Sequence, residues 1–364
     1  MRCAVIGLGW AADSFHLPAL EGTPGVEVVG GCDTDAGRRD RFAARTGAPA
    51  YEGAAELLER TRPDAVVVAT PPESHRALCL EALAAGAHVI CEKPFVETVE
   101  DADEVIAAAA AADRRVAVNH QYREKPIFRA VRDRIGTEDV GRLVFVQFTQ
   151  LMDLAPWDEP VAWRRAMPNR TLFEGGVHLV DLMLTLTGEP PVAVYARHSS
   201  GLDRSGAADA IHLVLLEFPN GRLGQITIDR LCKAGTRYVE LRADCEHASL
   251  RASYGGRALV QAGLKRAERP AIRLVYGLGG VAWLERGTTR KTIGRNPRHP
   301  EIVATRTLFG KILDAFAEGR EPPSSAREAR AVLEVIAAAY RSAETGERVV
   351  LAGAAAGSAS ATSV

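Results

Sequence analysis

The stretch Arg2-Cys3-Ala4-Val5-Ile6-Gly7-Leu8-Gly9-Trp10-Ala11-Ala12 decides the fold. A short apolar run reads as a buried strand, the glycines as a tight turn, and the spacing of Phe15, Leu17 and Leu20 as the helix that follows. The first Gly permits the turn, the second lets backbone approach a pyrophosphate, and a small third residue, Ala12, lets the helix lie close to the strand. A lone GxGxxA is weak evidence, because glycine turns after strands are common. A second strand over 26–32 strengthens it by ending in Asp33, roughly 20 residues on, where a carboxylate can bind the adenosine ribose hydroxyls. Asp35 adds a charge that would repel a ribose 2′-phosphate, so NAD is favoured over NADP. Arg38 and Arg39 are the counter-argument, being placed where a guanidinium could stack on adenine or reach a phosphate.

Working outward, the pattern repeats as helix (36–46), short strand (50–51), helix (54–60) and strand (64–70). Alternation with short links implies parallel strands under helices, a Rossmann α/β domain expected over residues 1–122. Thr70-Pro71-Pro72-Glu73-Ser74-His75 leads into a helix ending at Gly86, with Ser74 the expected N-cap and His75 given a positional role near the cofactor. The strand His88-Val89-Ile90-Cys91 delivers Glu92-Lys93-Pro94-Phe95 at its carboxyl end, the edge where open α/β sheets bind ligands. Taken alone, Lys93 reads as a solvated strand-end lysine. Beside a dinucleotide it becomes a candidate for cofactor and substrate contact.

From 123 to 135 an amphipathic helix would connect the domains. Alternation through Leu143-Val144-Phe145-Val146-Gln147-Phe148-Thr149 then indicates a strand with unlike faces. Further strands are expected over 192–197, 211–218, 223–231, 238–243 and 248–252, with short turns such as Pro219-Asn220-Gly221 marking antiparallel hairpins. The result is an α+β domain over 123–351 with a largely antiparallel, open-faced sheet, its core closed by helices over 303–318 and 325–345. An uncovered sheet face needs a partner, so a homodimer or homotetramer packed sheet on sheet is expected. Residues 255–300, glycine-rich and basic, read as a loop-rich insertion with a solvated surface. The Ala/Gly/Ser tail, 352–364, reads as disordered.

In the second domain, Trp163-Arg164 precedes Leu172-Phe173-Glu174-Gly175-Gly176-Val177-His178-Leu179-Val180-Asp181. On a helix, Glu174, His178 and Asp181 project from one side and could hold a proton-transfer group tuned near neutrality. On these residues alone, a satisfied core histidine stands ahead, and a metal site is least favoured because no further ligand has a recognisable spacing. No metal is expected.

Composition narrows the field. With 364 residues, 47% hydrophobic, 25% charged and a formal net charge of -1, the chain has no general electrostatic attraction to nucleic acid or anionic membrane, and small-molecule partners are favoured. Six cysteines form no CxxC pair and suggest neither a disulfide framework nor zinc. No apolar run reaches membrane-spanning length and Met1 leads straight into a strand pattern, so a cytoplasmic location is expected.

GLGWAA with HLPAL after it, Asp33, TPPESH, CEKP and NHQYREKP, in this order, resemble the Gfo/Idh/MocA family of NAD(P)-dependent oxidoreductases, and GGVHLVD extends the likeness into the second domain. The resemblance implies NAD as cofactor and hydride transfer to or from a secondary alcohol or ketone of a sugar, cyclitol or sugar derivative, nucleotide sugars included. It implies that Gly7, Gly9, Trp10, Ala11, Asp33, Arg38, Thr70, Pro71, His75, Glu92, Lys93 and Gln121 face the cofactor. Lys93, Arg123, Trp163, Arg164, Glu174 and His178 are implied to face the substrate, with His178 as general acid/base, Asp181 its support and Lys93–Pro94 cis. Glu174 departs from the family's usual Asp and reaches one methylene further. The alternatives are an NAD-dependent glycoside hydrolase working by transient oxidation and a non-catalytic nucleotide-binding protein.

Overall fold

Parallel strands need cover on both faces, and that need organises the first of two units in this computed structural model, which describes residues 1–153, 163–164, 167, 169–200, 209–233, 238–255, 259–263, 271–275 and 280–351. The first unit comprises Met1–Glu124 and Glu301–Ala337. Strands β1 (Arg2–Ile6), β2 (Glu27–Cys32), β3 (Ala50–Tyr51), β4 (Ala65–Val68), β5 (His88–Cys91) and β6 (Val116–Val118) form one parallel sheet of order 3-2-1-4-5-6. Ile6 pairs with Cys32 and Val68, Val68 with Cys91, and Cys91 with Val118. Gly7, Asp33, Glu92 and Asn119 therefore leave the sheet along one edge.

The helix Pro300–Ala317 corrects the expected 123–351 domain, because it belongs to the first unit from Glu301 onward. Its stripe of Leu308, Phe309, Ile312, Leu313 and Phe316 is buried in one cluster with Cys3, Val5, Phe42, Val67 and Ile90. Each such side chain contributes about 1.5–3 kcal/mol on burial. The chain then runs beside β6, Val118 N–H donating to the Ser324 carbonyl at 2.7 Å, and the helix Ala326–Thr345 lies in the first unit up to Ala337.

The second unit comprises Lys125–Pro300 and residues from Ala338 onward. Its helix is shorter than the expected 123–135 and spans Pro126–Arg132, since Pro126 at the first helical position pushes Lys125 into extended backbone. Strands β7 (Leu143–Leu151), β8 (Ala193–Ser199), β9 (Ile211–Glu217), β10 (Leu223–Asp229), β11 (Val239–Cys245), β12 (Ser249–Tyr254), β13 (Leu259–Gly263), β14 (Ala271–Val275), β15 (Val281–Arg286), β16 (Thr289–Arg295) and β17 (Val349–Val350) follow. Nine of them make a sheet of order 16-15-12-11-7-10-9-8-17, antiparallel except for β7 with β10. Asn220, at φ 62°, closes the β9–β10 hairpin.

Within 255–300 the loop-rich insertion expected from sequence is corrected for the described residues, which include the four strands β13 to β16. β15 and β16 extend the sheet, and β13 pairs with β14. The basic residues that suggested loop are absorbed in part by Glu285, which accepts from Arg251 at 2.6 Å and from Arg290, whose guanidinium also sits 4.7 Å from the Trp283 ring centre. Lys265, Arg266 and the tail 352–364 lie outside the described residues. One face of the sheet shows Leu213 at 50%, Leu215 at 51% and Leu223 at 52% exposure. Among the described residues no helix is long and apolar enough to cross a membrane.

Candidate functional site

The glycine turn is built by close backbone approach. Gly7 has φ +90°, and a Cβ there would stand 2.8 Å from the Ala69 carbonyl carbon, whereas at Gly9 the nearest atom to a Cβ is Arg38 Nη1 at 3.7 Å. The first glycine is thus required by the fold, and the second leaves backbone open to a ligand. Asp33 Oδ2 accepts from Leu8 N–H at 2.8 Å and from Arg38 Nη1 at 3.3 Å, while Oδ1 accepts from Asp35 N–H at 2.9 Å. Trp10 is exposed and meets Phe15 edge to face at 4.9 Å. Ala12 is buried, as a helix packed close to its strand requires.

Thr70, Pro71 and Ser74 form the β4 exit. The N-cap bond expected from sequence for the Ser74 side chain is not made; its hydroxyl donates to the Pro71 carbonyl at 2.8 Å and meets Thr70 Oγ1 at 2.6 Å. His75 is fully buried, with Nε2 at 2.8 Å from the Thr70 carbonyl and Nδ1 at 2.9 Å from the Pro94 carbonyl. It is a strut between the β4 exit and the Lys93-Pro94 loop, because each ring nitrogen lies against a backbone carbonyl. The Lys93–Pro94 bond is cis.

Glu92 is likewise an anchor in this unit. Its Oε1 accepts from Asn119 Nδ2 at 2.6 Å and from His16 Nε2 at 2.7 Å, and its Oε2 accepts from Lys93 N–H at 2.9 Å. Burial alone would raise its carboxyl, but the His16 hydrogen bond and charge, Lys93 and Asn119 together bring it from 4.5 down to about 2. His16 and Asn119 were not among the candidates read from sequence. His16 lies in a wide-turned π-helical segment, Ala12–His16, that follows the glycine turn. The four cysteines in apolar runs are buried, and burial pushes the Cys3 and Cys32 thiols up to about 12, out of reactive range.

Gln121 is buried with its Oε1 lacking a hydrogen-bond partner, an acceptor close to the exit of β6. Arg123 is ion-paired with Glu328, and Glu124 with Lys311 at 2.7 Å. Both pairs lie inside the first unit, so the substrate role read for Arg123 meets a structural competitor. The glycine turn, the ribose carboxylate and the orphaned acceptor fit a bound dinucleotide.

In the second unit the Glu174 segment is again π-helical, Thr171–Gly176, and runs into the helix Val177–Thr187. Glu174, His178 and Asp181 are all buried. Glu174 Oε2 accepts from Arg230 Nη2 at 3.2 Å and its Oε1 lies 3.4 Å from Arg164 Nη2; the Arg164 guanidinium sits 5.1 Å from the Trp163 ring centre. The start of the segment is riveted by Asp209, whose Oδ2 accepts from Tyr340 Oη at 2.6 Å and Thr171 N–H at 3.0 Å. Burial, then the Asp209 charge, push the Tyr340 phenol far up, so it stays a donor. Arg230, Asp209 and Tyr340 were missed in sequence, since nothing in their spacing points at Glu174.

Fold and turn together define a dinucleotide-binding protein with an added sheet domain. The chain belongs to the Gfo/Idh/MocA family: residues 1–120 match its "Oxidoreductase family, NAD-binding Rossmann fold" and residues 128–251 its C-terminal domain, which makes NAD the dinucleotide. A 1,5-anhydro-D-fructose reductase of Ensifer adhaerens is 33% identical over 215 residues, a match covering 58% of this chain and 64%, under two thirds, of that relative. A D-apiose dehydrogenase of Paraburkholderia graminis is 27% identical, with 96% of this chain and 89% of that one covered. An Agrobacterium radiobacter oxidoreductase solved with NAD+, L-tartaric acid and magnesium shares the fold at TM-score 0.81 and 20% identity, over 96% of this chain and 98% of its own.

Proposed function

We propose that this protein is an NAD-dependent dehydrogenase or reductase acting on a secondary alcohol or ketone of a sugar, cyclitol or sugar derivative. The observation that carries the reading is the strand register, which sets the Gly7 turn, Asp33 and the Glu92-Lys93 exit on one edge of one sheet. Bound NAD supplies the hydride acceptor or donor. Gly7, Gly9, Trp10, Ala11, Asp33, Arg38, Thr70, Pro71 and Gln121 hold it. Lys93, held in place through Glu92, orients the substrate oxygen and stabilises negative charge developing there. His178 accepts the hydroxyl proton in oxidation and returns it in reduction, with Asp181 as its support. Trp163 and Arg164 line the substrate side.

The test is a panel of sugars, inositols and nucleotide sugars followed by NADH absorbance. Net NADH is expected with at least one polyol. Lys93→Ala and His178→Ala should each lower turnover by about 10²–10⁴-fold while NAD still binds. Near-normal turnover in both variants overturns the residue roles. Release of aglycone without net NADH transfers the reading to transient-oxidation glycoside cleavage.

A further inference from the structure

The helical stretch that carries Glu174, His178 and Asp181 begins at Thr171, and its first amides are capped by residues distant in the chain. Thr171 N–H donates to Asp209 Oδ2 at 3.0 Å, and Leu172 N–H donates to Tyr340 Oη at 3.1 Å. Tyr340 Oη in turn donates to the same Asp209 oxygen at 2.6 Å, while Thr171 Oγ1 donates to the Asp209 carbonyl. His212 closes the set, with its Nε2 3.2 Å from Asp209 Oδ2 and its ring edge-on to Tyr340 at 5.1 Å. Asp209, His212 and Tyr340 are all buried, a setting in which such bonds are strong. On the other side Arg230 reaches from Thr171 Oγ1 at 3.3 Å to Glu174 Oε2 at 3.2 Å. The first amides of a helix have no partners inside it, and a carboxylate beside them also meets the positive end of the helix dipole. Asp209 thus caps this helix from another part of the chain. What it caps is a π turn, a geometry that is rare in helices and frequent at functional sites. That turn lies between the cap and His178, so its width sets how Glu174 and His178 are turned relative to each other.

We propose that Asp209 and Tyr340 are positioning residues for the reaction: they hold the wide turn Thr171–Gly176, and through it the angle at which Glu174 and His178 are presented to the substrate. The proposal rests on the dehydrogenase reading above for the role of His178. Asp209 and Tyr340 act indirectly, since their polar groups are engaged with each other and with the backbone of the turn. Proton transfer needs the reacting groups aligned, and a misplacement of about 1 Å can cost on the order of 100-fold in rate. A wide turn that lost its cap would be free to rewind, and His178 would lose its aim before the fold lost its integrity.

Two hydroxyl deletions on one helix, made in the full-length chain, test this. Tyr340→Phe removes the group that joins Leu172 to Asp209. Ser342→Ala removes a buried hydroxyl that accepts from Ala196 N–H at 2.9 Å and donates to the Glu347 carbonyl, tying the same helix to β8 instead. Each should lower the thermal midpoint by about 2–4 °C. Tyr340→Phe should lower kcat about 10–100-fold on a polyol that the wild type oxidises, with KM and NADH affinity within about threefold of wild type. Ser342→Ala should keep the wild-type kcat. Asp209→Asn should fall between wild type and Asp209→Ala, because an amide oxygen still accepts from Thr171 N–H. Hydrogen exchange reads the clamp without turnover: amides over 171–176 should exchange about tenfold or more faster in Tyr340→Phe and at the wild-type rate in Ser342→Ala. A wild-type kcat in Tyr340→Phe overturns the proposal, as does an equal loss in Ser342→Ala, which would mark general destabilisation. Unaltered exchange in Tyr340→Phe refutes the clamp itself. If Tyr340→Phe does not fold, Asp209→Asn decides by the same measures. A wild type that reduces NAD with no polyol sinks the dehydrogenase reading and the positioning role with it, and the exchange rates then tell whether the clamp exists apart from that reading.

Discussion

Glu92 shows how a buried carboxylate can hold the backbone beside a candidate catalytic lysine. With its side chain 13% exposed and three hydrogen bonds to the carboxylate, its negative charge is stabilised more in the fold than in the unfolded chain. Its carboxyl lies at about 2 instead of 4.5. The depressed value means that this stabilisation is fully present above pH 4.5 and is lost as pH falls from 4.5 to about 2. By linkage the effect is on the order of 3 kcal/mol. Urea unfolding of wild type and Glu92→Gln across that range should show a stability difference that shrinks towards acid. A difference independent of pH would contradict the assignment. Lys93, which taken alone reads from sequence as a solvated strand end, has its backbone N–H held by that carboxylate. His16 and Asn119 could not be read from the chain because they stand 76 and 27 residues from Glu92, and only the parallel register brings strand exits together.

At the scale of elements, the two stretches that carry the motif chemistry, Ala12–His16 and Thr171–Gly176, are both π-helical where ordinary helix was expected. Wide turns of this kind often mark functional sites. Gly176 is fitted tightly: a Cβ would fall 2.6 Å from Ile228 Cδ1 on β10 and 2.7 Å from Leu172 Cδ1. Gly176→Ala should therefore destabilise the second unit by about 1–3 kcal/mol through overpacking, measured as a drop in thermal midpoint. An unchanged midpoint would mean that Leu172 and Ile228 repack freely. Periodicity located most elements, because strands alternate with helices in the first third and unlike faces alternate in the second. It left β15 and β16 hidden, where exposed Arg290 and Lys291 and the glycines imitate loop composition.

At the scale of the molecule, the exposed row of Leu213, Leu215 and Leu223 is the feature behind our proposal that the protein is a homo-oligomer. Mass photometry should find a dimer or tetramer for wild type, and Leu213→Asp/Leu215→Asp should shift it towards monomer while leaving NAD binding intact. A monomeric wild type at micromolar concentration would refute this. The sequence placed a core-closing helix over 303–318 but not which sheet it covers, since an apolar side on a helix does not name its partner.

That helix has a temporal consequence. The sheet of the first unit is complete in sequence by Val118, yet its cover of Leu308, Phe309, Ile312 and Phe316 is still unsynthesised. At ribosomal speed the intervening stretch, roughly two hundred residues, takes about 10–40 s. Through that interval the nascent nucleotide-binding half carries a bare apolar face, and a fragment ending at residue 122 would keep it permanently. The dinucleotide fold of this chain is finished only when its last quarter arrives.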